Sequence, residues 1–96
     1  MSEHAYRYRF AERIDLRDVG DTLLLAVLAA AGLFGQTRVR MDAGFATDPS
    51  SNVLIVDAST IVGQAINGIF TSFLMREFGA DAFEVKRVAV AREVWR

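Results

Sequence analysis

The feature that most constrains this fold is the spacing of apolar residues, which switches along the chain between the two-residue period of a strand and the roughly 3.6-residue period of a helix. Residues 5–12, AYRYRFAE, alternate between aromatic and basic side chains: Tyr6, Tyr8 and Phe10 against Arg7 and Arg9. This period of two predicts a half-buried strand. Residues 16–34 then predict a helix, because Asp15 is a suitable N-cap and Gly35 a suitable end.

The rest of the chain predicts two strands, a helix and a last strand. Residues 36–48, QTRVRMDAGFATD, alternate again, and a turn follows at the only proline. Residues 52–58, NVLIVDA, carry apolar residues on both faces, which is typical of a central strand covered on two sides. Residues 59–79 predict a second helix that ends at Gly79, and residues 82–91 predict the last strand.

Strand, helix and strand therefore occur in this order twice. Two such units interleave into a four-stranded antiparallel sheet with strand order 4-1-3-2 and both helices on one face, which is the ferredoxin-like βαββαβ arrangement. Because 96 residues support one core, we expect a single α+β domain over residues 1–96. Residues 1–4 and 92–96 are expected to be loosely ordered.

The second half of the chain also allows another interpretation. Its first strand ends at Asp57, and two hydroxyl residues, Ser59 and Thr60, precede the helix. This order is loosely similar to the strand–helix–strand unit of STAS-like regulatory domains. The resemblance implies a regulatory function as an alternative.

The composition excludes several classes of protein. A net charge of −1 with 52% hydrophobic residues excludes a disordered chain and gives no overall field that attracts nucleic acid or an anionic membrane. The lack of cysteine excludes a disulfide framework, and the segment MSEHAYRYRF has no apolar region typical of a signal peptide. We expect a cytoplasmic protein without membrane contact, and the predominance of arginine over lysine favours a bacterial source.

The first helix has more apolar surface than one small domain can cover. Residues 22–35, TLLLAVLAAAGLFG, contain no charged residue, and Leu25 and Leu28 lie opposite the expected core stripe. At about 1.5 Å per residue this segment is about 21 Å long, whereas a bilayer core is roughly 30 Å thick, so a transmembrane helix is not expected. Another protein chain is therefore expected to cover these leucines.

The third strand raises the same question for the sheet. It offers Leu54 and Val56 to one face and Val53 and Ile55 to the other, and one of these pairs must point away from the helices. A second copy stacked on that face would cover it, and Trp95 is a suitable interface anchor. We expect a non-enzymatic interaction or regulatory module that forms a homodimer, binds a further protein partner and uses five interface residues: Leu25, Leu28, Leu54, Val56 and Trp95.

Nucleic acid is the alternative occupant of the open sheet face. If the aromatic residues of the first strand face the helices, basic residues of the first and second strands would line the open face: Arg7, Arg9, Arg38 and Arg40. Phosphates would bind there with an affinity that falls as the salt concentration rises. A protein interface is favoured, because NVLIVDA lacks the motif typical of RNA-recognition modules.

Asp57 is the residue for which chemistry is most worth considering, because it ends a buried strand. If the strand ends meet, Glu12, Asp57 and Glu84 are weak candidates as ligands of a hard cation such as magnesium. A turn-forming role for Asp57 is favoured, and helix capping explains Ser59 and Thr60. We therefore expect neither a metal nor another cofactor.

The sequence offers no catalytic residue that we would name. The only histidine, His4, has no acid or thiol near it in the sequence, so a nucleophile would lack a base. The glycine-framed serine of hydrolases is also absent. We expect that the protein is not an enzyme.

Overall fold

The structure is a computed structural model that describes residues 4–89 of the chain. Its elements, in chain order, are strand β1 (His4–Phe10), helix α1 (Leu16–Phe34), helix α2 (Gln36–Asp42), strand β2 (Phe45–Asp48), strand β3 (Val53–Asp57), helix α3 (Ile61–Phe78) and strand β4 (Phe83–Ala89). A 3-10 turn, Ala80–Ala82, joins α3 to β4. Within the described residues, no helix is long and apolar enough to span a bilayer.

The four strands form one antiparallel sheet in the order β2-β3-β1-β4, which is 4-1-3-2 when counted from the other edge. Arg7 of β1 lies opposite Ile55 of β3 on one side and Lys86 of β4 on the other. The predicted α+β class with a four-stranded antiparallel sheet is therefore confirmed. The prediction of two helices is wrong, because residues 4–89 form three α-helices.

The segment predicted as one second strand, residues 36–48, is a helix followed by a short strand. Helix α1 ends at Gly35, whose φ of 90° favours glycine, and α2 begins at the next residue. Val39 and Met41 would share one face of a strand, but Val39 is 4% exposed and Met41 is 78% exposed. The burial of Val39 in the core selects the helix, since so short an alternation fits either structure.

Both long helices begin and end where the sequence predicts. The carboxylate of Asp15 accepts a hydrogen bond from the Arg17 backbone nitrogen at 2.9 Å and another from the Arg17 side chain, which lowers the pKa of Asp15. At α3, the Thr60 hydroxyl oxygen accepts a hydrogen bond from the Gly63 backbone nitrogen at 2.9 Å, and Gly79 ends the helix. These caps satisfy backbone donors that a helix N-terminus leaves open.

The core lies between one face of the sheet and the three helices. Tyr6, Tyr8 and Phe10 face the helices, an orientation that the sequence left open, and Tyr8 is completely buried. The helices contribute a continuous set of buried side chains: Val19, Leu23, Ala26 and Ala30 from α1, Val39 from α2, and Val62, Ile66, Phe70 and Leu74 from α3. Because side chains alternate along a strand, Arg7 and Arg9 lie on the open face of the sheet.

Candidate functional site

The side of α1 that faces away from the core exposes a group of leucines. Leu24, Leu25 and Leu28 keep 57%, 57% and 54% of their surface exposed, and Leu33 keeps 74%. Single exposed leucines are ordinary, but contiguous apolar patches are uncommon on monomers and mark interaction sites. We name the contiguous part of this surface the α1 outer face: Leu24, Leu25, Leu28, Ala29 and Gly32.

The sequence produces this face because α1 is apolar on both sides. Its buried stripe includes Leu23, Ala26 and Ala30, so Leu24, Leu25 and Leu28 lie on the opposite side. No charged residue occurs over residues 22–35 to make the outer side polar. A methyl group at Gly32 would meet no atom within 4 Å, so packing inside this chain does not require the glycine. A glycine in a helix interior costs about 0.5–1 kcal/mol relative to alanine but allows another chain to approach closely.

A groove borders the α1 outer face on each side. Leu25 and Phe73 line a groove of about 320 Å³ between α1 and α3, together with Arg76 and Glu77. At one end of this groove, the buried Thr22 hydroxyl donates a hydrogen bond to the Glu77 carboxylate and so ties α1 to α3. Leu28 lines a second groove of about 280 Å³ between α1 and α2. A partner on the outer face therefore has apolar depressions to fill on both sides.

The predicted interface on the sheet is wrong for the two residues we named. Leu54 and Val56 are 0% and 1% exposed, because they point into the core against the helices. Their neighbours Val53 and Ile55 lie on the open face, but Val53 is buried and Ile55 is half-buried. The open face therefore does not present the bare aliphatic surface that led us to expect a stacked second sheet.

The four arginines proposed for nucleic acid do not form one surface. Arg7 and Arg9 lie on the open sheet face, where they line a small depression of about 40 Å³ with Glu84 and Lys86. Arg38 and Arg40 lie instead on α2, which packs on the opposite side of the sheet. Arg38 forms an ion pair with Asp42 and lies 5.2 Å from the centre of the Phe34 ring.

The acidic residues proposed as metal ligands do not meet. Strands β1 and β3 are antiparallel, so Glu12 follows the end of β1 while Asp57 lies at the other end of the sheet, opposite Ala5. Glu84 lies opposite Arg9, away from Asp57. Within residues 4–89, no three histidine, cysteine or acidic side chains are grouped in a way that could hold a metal ion.

Asp57 forms the turn that connects β3 to α3. Its carboxylate accepts a hydrogen bond from the Ser59 backbone nitrogen at 2.8 Å, and its own backbone nitrogen donates to the Gly44 carbonyl at the same distance. Thr60 caps α3, and its hydroxyl also donates to the Asp42 carbonyl at 3.0 Å. These contacts support the structural roles expected for Asp57 and Thr60.

Two sequence-based expectations concern the chain ends. His4, expected in a loosely ordered segment, is the first residue of β1, and its ring packs edge-on against Tyr6 with 5.7 Å between ring centres. Trp95, named as an interface anchor, lies outside the described residues.

Sequence reasoning missed some exposed apolar residues and one buried polar contact. Leu24 and Met41 are exposed; Leu24 belongs to the same charge-free segment as Leu25, whereas Met41 was placed in a strand. The Tyr8 hydroxyl, deep in the core, donates a hydrogen bond to the Asn67 side chain and contacts the Thr71 hydroxyl at 2.7 Å. Asn67 and Thr71 are four residues apart on α3, but the sequence gives no signal that Tyr8 reaches them.

Comparison of this chain with protein-family models, with curated proteins and with solved structures gives no match. The function is therefore argued from the residues and their arrangement.

Proposed function

We propose that this protein is a small interaction module that forms a homodimer through the α1 outer face. The observation that carries the proposal is the exposure of Leu24, Leu25 and Leu28 on a helix that has no charged residue from residue 22 to residue 35. A surface of this kind favours an equally apolar partner. The same face of a second copy meets this requirement, because a two-fold axis pairs one patch with itself.

The size of the face predicts the strength of the dimer. Complete burial of a leucine is worth about 1.5–3 kcal/mol, so covering the exposed half of each of these leucines is worth about 1 kcal/mol. Three leucines from each copy then contribute about 6 kcal/mol, which offsets only the low end of the association cost of about 4–15 kcal/mol. The grooves on both sides of the face must supply further apolar burial. We therefore expect a weak dimer whose formation depends on protein concentration.

The open face of the sheet is a less suitable interface. At its centre, Arg7 lies opposite Lys86, and neither forms an ion pair with another residue of the described chain. Stacking a second sheet there would remove these charges from water, which is costly unless each finds a partner. This cost favours α1 over the sheet as the surface for self-association.

The test is the solution mass of the full chain, measured by light scattering after size exclusion, over a range of loading concentrations and at low and high salt. The variant Leu25→Lys/Leu28→Lys removes the proposed interface. Its matched control is Ile61→Lys/Met75→Lys, which introduces the same charges at two exposed apolar positions on α3. Melting temperatures of all proteins show whether each variant is folded.

The wild type should form a dimer at high concentration, at both salt levels, because the leucines at the centre of its interface are uncharged. The Leu25→Lys/Leu28→Lys variant should be monomeric with little change in melting temperature, and the control should still dimerise. A wild type that is monomeric at about 1 mM, where even an interaction of about 4 kcal/mol is half formed, would refute the proposal. Dimerisation of a folded Leu25→Lys/Leu28→Lys variant would refute it equally.

A second proposal concerns the type of fold. We propose that the fold is a ferredoxin-like arrangement in which α2 is an insertion between α1 and β2, supported by the 4-1-3-2 strand order and by α1 and α3 packing on one face. The all-antiparallel sheet favours this assignment over a STAS-like one, since a strand–helix–strand unit with adjacent strands requires parallel pairing. A further protein partner, a cytoplasmic location and the lack of enzymatic activity remain predictions.

Nucleic-acid binding remains the alternative, with a smaller surface than the sequence predicts. Only Arg7 and Arg9 of the four proposed arginines lie on the open face, together with Lys86 and the opposing charge of Glu84. The aromatic side chains of β1 lie on the helix side of the sheet, so none of them can stack with bases on the open face. We expect no complex with a mixed-sequence oligonucleotide at low salt, as measured by fluorescence anisotropy.

A further inference from the structure

A further cavity lies between β1 and α3, on the side of α3 opposite the groove that Leu25 lines. Its volume is about 370 Å³, and its described lining is His4, Tyr6, Gln64, Asn67 and Gly68. This volume falls within the range of about 300–1,000 Å³ that is typical of small-molecule sites. We name it the Asn67 cavity. None of its described lining residues belongs to the proposed dimer interface.

A hydrogen bond from Tyr8 fixes the orientation of the Asn67 side chain. The Tyr8 hydroxyl donates a hydrogen bond to the Asn67 side-chain oxygen, and the Thr71 hydroxyl lies 2.7 Å from the same Tyr8 oxygen. Burial raises the pKa of Tyr8 to about 12, so this hydroxyl keeps its proton at neutral pH. Asn67 is thus held through its oxygen, and its amide nitrogen has no hydrogen-bond partner within residues 4–89.

Gln64, three residues before Asn67 on α3, supplies a hydrogen-bond acceptor to complement the Asn67 amide donor. Its amide nitrogen donates to the Ala58 carbonyl at 3.3 Å, which leaves its side-chain oxygen as an acceptor. Asn67 therefore offers a donor and Gln64 offers an acceptor along the same cavity wall. A single Asn or Gln carboxamide recognises the donor and acceptor edge of adenine in protein–DNA contacts, and in this cavity two side chains offer the same pair of groups.

Gly68 and Tyr6 give the cavity its shape. A methyl group at Gly68 would meet no atom of residues 4–89 within 4 Å, so packing among these residues does not require this mid-helix glycine. Its lack of a side chain keeps the cavity open at a cost in helix stability. Tyr6 contributes a flat ring whose orientation is set by the edge-on contact with His4, and such a ring can stack against a base.

We propose that the Asn67 cavity binds a neutral, planar heterocycle with adjacent hydrogen-bond donor and acceptor groups, the chemistry of a free nucleoside. Neutrality follows from the described lining, which includes no carboxylate, lysine or arginine side chain. Planarity follows from the Tyr6 ring, and the paired edge follows from the two carboxamides. This ligand site is independent of the proposed dimer.

The experiment is a titration of the ¹⁵N-labelled full chain with adenosine and with uridine, followed by NMR of the side-chain amides of Gln64 and Asn67. Ribose is the non-planar control ligand. The variant Gly68→Leu fills the cavity without removing any group of the Tyr8 network. Ser72→Leu, one turn further along α3 and outside the described lining, is its matched control. A second variant, Gln64→Ala, removes the acceptor at an exposed position.

Saturable shifts of both side-chain amides with adenosine or uridine, and none with ribose, are the expected result. Gly68→Leu should lower the affinity at least tenfold, Gln64→Ala should lower it severalfold, and Ser72→Leu should leave it unchanged. Lack of a saturable shift with both nucleosides, an equal response to ribose, or unchanged affinity in both Gly68→Leu and Gln64→Ala would overturn the proposal.

Discussion

The buried hydroxyl of Tyr8 should control the stability of this protein at alkaline pH. The Tyr8 side chain is completely buried, and its hydroxyl is hydrogen-bonded to Asn67 and Thr71. Replacement of Tyr8 by phenylalanine keeps the ring and removes one oxygen atom, which leaves the polar groups of Asn67 and Thr71 without this partner. Because Asn67 and Thr71 are half-buried, the loss is close to the net value of one hydrogen bond, so the free energy of unfolding of Tyr8→Phe at pH 7 should be lower by about 1 kcal/mol.

The pH dependence of this difference follows from the raised pKa. Burial raises the pKa of Tyr8 to about 12 in the folded protein, against about 10 for an unperturbed tyrosine. Between these values the unfolded chain releases the Tyr8 proton while the folded chain keeps it, so the stability falls as the pH rises. At about 1.4 kcal/mol per pH unit, the wild type should lose about 2–3 kcal/mol from this group over that interval.

The assay is urea denaturation of the wild type and of Tyr8→Phe at pH values from 7 to about 12. The matched control is Tyr6→Phe, which removes a hydroxyl from the half-buried neighbour on the same strand face. Tyr6 and Tyr8 are the only tyrosines in the chain, so tyrosinate absorbance in Tyr6→Phe reports the ionisation of Tyr8 alone.

The stability advantage of the wild type over Tyr8→Phe should therefore shrink or reverse between about pH 10 and about pH 12. Parallel stability curves for these two proteins would refute the reasoning, as would a Tyr8 ionisation in the folded protein near the ordinary pKa of tyrosine. The Tyr6→Phe protein should follow the wild type over the whole range.

Three further substitutions test the packing. Gly63→Ala should lower the free energy of unfolding by about 3 kcal/mol in urea denaturation, because its Cβ would stand 2.2 Å from the Asp57 carbonyl oxygen. Gly20→Ala should raise it by about 0.5–1 kcal/mol, since no atom lies within 4 Å of the new methyl group; a loss would show that the space is needed. Asn52→Ala should lower the melting temperature and reduce the free energy of unfolding by about 2 kcal/mol. Asn52 has a φ of 56°, and its side-chain amide donates to the backbone carbonyls of Phe10, Ala11 and Ile14. Asn52→Gly, which tolerates that φ, should recover part of the loss.

The sequence predicted well those features that depend on neighbouring residues. Helix α1 begins after Asp15 and ends before Gly35 as expected, because caps act on backbone groups within one helical turn. The exposure of Leu25 and Leu28 also followed from helical periodicity, once one stripe was assigned to the core. The placement of Tyr6, Tyr8 and Phe10 on one face of the sheet followed from the alternation along β1.

Features that depend on distant residues could not be read from the sequence in this way. Met41 and Val39 alternate with arginines, yet they belong to α2 because Val39 finds a buried place in the core. Glu12 and Asp57 were placed together, but antiparallel pairing puts them at opposite ends of the sheet.

Sequence by itself determined the two long helices, the strands β1, β3 and β4 and the charge-free segment of α1, because hydrophobic periodicity and capping are local. Only the tertiary structure decided that Leu54 and Val56 point into the core and that Tyr8 meets Asn67 across 59 residues of chain. A strand with apolar residues on both sides is compatible with either orientation, and the choice depends on which face the helices cover. The packing of α3 on β1 likewise creates the Asn67 cavity from residues that are far apart in the sequence.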